Sequence, residues 1–94
     1  MNAIKKLDLQ AKKRGYDDSL IVLVWIAAKV KLDYKIIEID RYVAEFLNTH
    51  YPSKHKDISK ETVGRVRRDN QEHIDKILQG DTSKYLEYAE IFAQ

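Results

Sequence analysis

The residues with the richest chemistry stand in one run, Ile58-Ser59-Lys60-Glu61-Thr62-Val63-Gly64-Arg65-Val66. Ser59 is of a type that caps a helix N-terminus through its hydroxyl oxygen. A helix that begins there leaves other N-terminal amides free to face a phosphate. Lys60 and Arg65 are donors suited to the two acceptors on the guanine edge, and Glu61 can accept from the cytosine amine. Val63 and Val66 share a face and can seat the helix on a core, which leaves Lys60, Glu61, Thr62, Gly64, Arg65 and Arg68 outward or lateral. Gly64 weakens a helix by roughly 1 kcal/mol relative to alanine. Its missing side chain would let a sugar-phosphate backbone approach closely. Lys54 and Lys56, just upstream, add positive charge to the same region.

Other chemistries find little footing. His50, His55 and His73 do not fall at zinc-ligand spacing, and there is no cysteine to assist them. No Gly-rich phosphate loop, nucleophile elbow or His-Glu metal helix occurs. Glu38 and Glu45 read as surface charges on a helix. The expectation is a chain without catalytic residues, metal or cofactor, and with no evident small-molecule substrate.

The elements that must position this run are helical. One proline and three glycines favour helices over a turn-rich β fold. Ile4, Leu7 and Ala11 recur at helical spacing and predict a first helix from Asn2 to about Arg14, with Gly15 at its end. Asp17, Asp18 and Ser19 are capping candidates for a second helix over about 18–31. That helix is apolar on nearly every side from Leu20 to Ala28, as a central helix should be. Asp33 is expected to cap a third helix over 34–49, whose stripe is Ile36, Ile39/Asp40, Val43 and Leu47. Pro52 disfavours helix at Tyr51, and residues 52–58 form a basic connector. From Ser59 the spacing of Val63, Val66, Asn70, Ile74 and Ile77 predicts one helix to Leu78. Gly80 stops it, and Asp81 or Thr82 caps a fifth helix over 82–93.

The run from Ile58 to Val66 resembles the recognition helix of the cyclic-AMP receptor protein family of bacterial transcription factors. There the pattern is Ser-Arg-Glu-Thr-Val-Gly/Ser-Arg followed by an apolar residue. The resemblance implies that Lys60, Glu61 and Arg65 read bases and that Ser59 and Thr62 touch phosphates. The helix over 34–49 becomes the preceding, supporting helix of a helix-turn-helix. The chain departs from the family in several ways. Lys60 replaces the usual arginine, Arg67 stands where a further apolar residue is expected, and the connector is about eight residues long where three or four are usual. No cyclic-nucleotide pocket is visible. The expectation is a helix-turn-helix-like domain, not a member of that family.

Composition sets the outer bounds. Ninety-four residues, 44% of them hydrophobic and 34% charged, suit one small folded domain spanning residues 1–94. The fold class expected is all-α, a compact bundle of about five helices. The alternative is a winged helix, with 73–78 and 84–92 paired as a hairpin about Gln79-Gly80-Asp81. The net charge is only +2, but it is unevenly spread. Lys5, Lys6, Lys12, Lys13 and Arg14 make a basic N-terminal stretch, the segment 54–68 makes a second, and Asp81, Glu87 and Glu90 make the C-terminal stretch acidic. The apolar run Leu20–Ala28 is far shorter than the ~20 residues that span a bilayer, and no targeting signal is visible. A cytoplasmic location without membrane contact follows as an expectation.

The function expected is sequence-specific binding of double-stranded DNA. Such a chain would be a small transcriptional regulator, or the DNA-binding domain of a longer replication initiator, from a phage, plasmid or other mobile element. Tyr85, Tyr88 and Phe92 share a face of the last helix and are the candidate seam of a homodimer. The alternative function uses that same face: a small protein–protein adaptor or inhibitor.

Overall fold

The computed structural model describes residues 3–14, 17–52 and 58–92. Among them the chain forms six helices and no strand: α1 (Ala3–Arg14), α2 (Asp18–Leu32), α3 (Ile36–His50), α4 (Lys60–Asp69), α5 (Gln71–Gln79) and α6 (Ser83–Ala89). The fold is the expected all-α bundle. The segments that a winged variant would pair as strands lie in α5 and in α6 with the turn that follows it.

α2 is the hub. Every residue from Leu20 to Ala28 is buried, and the helix packs against each of the other five. A helix with neighbours all round needs apolar side chains all round, which explains its lack of a polar face. Asp17 caps it, its carboxylate accepting from the Ser19 amide at 3.0 Å.

Asp33, expected to open the next helix, closes this one. It takes the left-handed conformation (φ 52°, ψ 35°) and its amide donates to the Lys29 carbonyl. A short polar side chain tolerates that region better than most, so aspartate serves where glycine is commonest. α3 therefore starts later, at Ile36, with Lys35 before it and no side-chain cap.

The helix expected to run from Ser59 to Leu78 is two helices. Asn70 interrupts it: its side-chain amide donates to the Val66 carbonyl at 2.8 Å, and its backbone leaves helical geometry (φ −117°, ψ 18°). Asparagine competes for backbone hydrogen bonds in this way, and so marks helix ends. The Asn70 carbonyl then accepts from the Ile74 amide to start α5. Ile74 is buried and Ile77 partly buried against the core, so their apolar spacing was sound although the helix was not continuous.

α6 is shorter than the expected 82–93. Asp81 accepts from the Ser83 amide at 2.9 Å to begin it, and the chain turns after Ala89. That turn brings Phe92 into the core, fully buried, with its ring 5.0 Å from Phe46 and 5.5 Å from Tyr42. α1 closes the bundle through Leu7 and Ala11, which are buried, and through the Lys6–Glu87 ion pair of 2.7 Å to α6. No helix among the described residues is long and apolar enough to cross a membrane.

Candidate nucleic-acid interface

The N-terminus of α4 is built by Ser59. Its hydroxyl oxygen accepts from the Thr62 amide at 3.2 Å and lies 3.2 Å from the Thr62 hydroxyl. Asn48 on α3 donates to the Ile58 carbonyl at 2.9 Å, which ties the entry of α4 to the helix beneath it. Among the described residues the amides of Lys60 and Glu61 have no acceptor, as expected for the first two positions of a helix.

Val63 and Val66 are fully buried and seat α4 on the core. Lys60, Glu61, Arg65 and Arg68 are exposed, and Thr62 is half-buried. The apolar and charged faces of α4 thus fall as the spacing predicted. Arg65 makes a loose ion pair with Asp69 at 3.5 Å, both side chains more than half exposed. Pairs of this kind contribute little in water, so Arg65 remains available to a stronger partner. Lys60 and Arg68 have no ion pair among the described residues. Lys54 and Lys56 lie outside the described residues.

Gly64 requires a correction. It is buried rather than outward-facing. A Cβ placed there would lie 3.2 Å from Asp40 Oδ2 and 3.2 Å from Arg68 Nη1. The missing side chain accommodates the Asp40 carboxylate and the Arg68 guanidinium, so the close approach it permits is internal.

Sequence reasoning missed the group that occupies this contact. Asp40 is the buried charged residue of the described chain. Its Oδ1 accepts from Trp25 Nε1 at 2.8 Å and from Arg67 Nε at 2.9 Å, and its Oδ2 accepts from Arg67 Nη2 at 3.1 Å. Arg67 Nη1 continues the chain to Gln71 Oε1 at 3.1 Å. One carboxylate therefore joins α2, α3 and α4 through charge-assisted hydrogen bonds, the strong kind. The signal was present: Asp40 falls in the apolar stripe of α3, and Arg67, four residues after Val63, falls on the inward face of α4. Two opposite charges on the buried faces of adjoining helices call for each other.

An open cleft of about 290 Å³ runs between the start of α3 and the start of α4, lined by Ile37, Asp40, Lys60, Glu61, Gly64, Arg67 and Arg68. A second depression, about 240 Å³, lies among Asp18, Ser19, Val22, Leu23, Asn70, His73 and Tyr85. Among the described residues no three histidine or carboxylate side chains gather in a metal-binding group. His50 instead stacks on Phe46, ring centres 4.3 Å apart.

The candidate partner face on the last helix is turned inward. Tyr85 and Phe92 are buried in this chain's own core, and Tyr88 is partly buried against it. Their apolar spacing served the monomer, leaving Leu86 as the exposed large apolar side chain of α6. The lysines of α1 belong to another part of the fold, because α1 packs on α2 and α6 and makes no contact with α4.

Comparison with known protein families, curated proteins and solved structures finds no match for this chain. The functional reading therefore rests on the residues and their arrangement.

Proposed function

We propose that this chain binds double-stranded DNA in a sequence-specific manner, with α4 entering a major groove. The observation that carries the reading is the division of α4 into two faces. Val63, Val66 and Arg67 hold it on α2 and α3, while Lys60, Glu61, Arg65 and Arg68 stay exposed. A rigidly seated helix with exposed donors near its N-terminus can present them to base edges. Lys60 and Arg65 act on guanine acceptors, Glu61 on a cytosine amine, and Arg68 on a phosphate. The hydroxyl of Ser59 serves as a cap, and its role toward DNA is to leave the Lys60 and Glu61 amides facing a phosphate. The biological setting that fits is a small transcriptional regulator or the DNA-binding part of a replication initiator.

The test is selection from a pool of random duplexes at two salt concentrations, followed by sequencing of the retained fraction. The expected result is a recovered motif that Arg65→Ala loses while its circular dichroism stays unchanged. Retention that depends steeply on salt but yields no motif would replace this reading with non-specific backbone binding. Absence of retention at both salts would remove it altogether.

A further inference from the structure

Ile37 is the most exposed large apolar side chain among the described residues, at 72%. It stands in the first turn of α3, next to Ile36, which is 43% exposed. Isolated apolar residues on a surface are common, but the surroundings of this one are particular. It lines the same cleft as Lys60, Glu61 and Arg68. Asp40, also in that cleft, is already neutralised by Arg67. The lining therefore offers an aliphatic surface beside two cations without an ion pair among the described residues, and one acceptor.

A complementary ligand is apolar opposite Ile37 and negative or acceptor-rich opposite Lys60 and Arg68. The major-groove edge of duplex DNA has that combination wherever a thymine occurs. Its C5-methyl group stands beside the O4 acceptor, next to neighbouring base acceptors and the flanking phosphates. We propose that Ile37 is a specificity-determining residue that reads the methyl group of one thymine within the bound site. The inference rests on the DNA-binding reading above and extends base recognition from α4 to the preceding helix. Arg68 at the opposite side of the cleft reaches the phosphate, and Lys60 reaches the adjoining base. Burying one methyl group against Ile37 corresponds to roughly a threefold to fivefold gain in affinity.

The test uses the motif recovered by selection. Each thymine in it is replaced in turn by deoxyuridine, which keeps O4 and the pairing edge but lacks the methyl group. Affinity is measured by fluorescence anisotropy for the wild type, Ile37→Ala and Ile37→Val. At one thymine the wild type is expected to lose about threefold to fivefold. Ile37→Ala should bind the thymine and uracil sites equally, and Ile37→Val, which keeps a branched surface, should retain part of the discrimination. Ile37 is exposed, so the variants should unfold in urea as the wild type does. The proposal is overturned if the motif contains no thymine, if no thymine-to-uracil change affects the wild type, or if Ile37→Ala discriminates as well as the wild type. Each of those outcomes leaves sequence-specific DNA binding standing. Absence of any retained duplex instead removes the DNA-binding reading, and this inference with it.

Discussion

At the scale of single residues, the pairing of Asp40 with Arg67 has the largest consequences. The two side chains are 7% and 11% exposed, so neither is well solvated without the other. Removing one partner of such a pair leaves an uncompensated charge and typically costs about 3–5 kcal/mol. Arg67→Met should destabilise the domain by about that amount in urea unfolding. Arg67→Met combined with Asp40→Leu should recover much of the loss, because the orphaned carboxylate is gone as well. Asp40→Leu also removes the acceptor of Trp25 Nε1, so recovery should be incomplete by about 1 kcal/mol. Arg65, two residues earlier on the opposite face, is expected to behave in the reverse way. Its loose pair with Asp69 contributes little to folding, and Arg65→Ala should change DNA retention while leaving the urea midpoint nearly in place.

At the scale of elements, α4 is the helix whose setting matters most. Ten residues make a short helix, too short to persist on propensity alone. Its order comes from the Ser59 cap, the Asn48 bond to Ile58, the two buried valines and Arg67. Ser59→Ala should cost about 1 kcal/mol of stability, and Ser59→Asp should restore it, since aspartate caps as well and adds a favourable charge at the helix N-terminus. The two variants separate folding from binding. The added carboxylate would repel the phosphate assigned to the Lys60 and Glu61 amides, so Ser59→Asp should fold normally and bind duplex more weakly than Ser59→Ala. Equal binding by both variants would show that no phosphate lies at that end. The break at Asn70 also belongs to this scale. It separates α5, with its buried Ile74, from α4, and the candidate interface belongs to the first of the two helices.

At the scale of the whole molecule, the described chain measures 33 × 32 × 26 Å, close to the ~34 Å of one turn of duplex. With Tyr85 and Phe92 inside the monomer, the predicted footprint is one non-palindromic site of about ten base pairs. Protection of two symmetric half-sites would instead indicate a dimer formed through another surface. The core that fixes this shape includes the edge-on and tilted ring contacts of Tyr42, Phe92 and Phe46, which join α3 to the segment after α6. Burial pushes the Tyr42 phenol above its ordinary value of 10.0, and the charges of Tyr34 and Glu45 act in the same direction. The folded state thus favours the protonated phenol. That stabilisation is complete below the ordinary tyrosine range and is lost as the pH climbs through the raised folded value. Tyr42→Phe keeps the ring contact, so it should match the wild type near neutral pH and outlast it above about pH 10 in thermal melts.

The arrangement of apolar residues was enough to establish much of this protein. The helical period of Val63 and Val66, the all-round apolar run of α2 and the serine at position 59 are local properties, and each depends only on neighbours a few residues away. They determined the fold class, the central helix and the exposed face of α4. Tertiary structure decided what depends on which helices meet. Gly64 leaves room for the Asp40 carboxylate and the Arg68 guanidinium, Asp40 is tolerated because Arg67 and Trp25 reach it, and Asp33 closes one helix although its type suits opening another equally well. Tyr85 and Phe92 formed the right stripe, but a stripe records only that a face is buried. Whether it is buried by the same chain or by a partner depends on how the chain turns after Ala89, and that turn is stabilised by Phe46 and Tyr42, some fifty residues away in sequence.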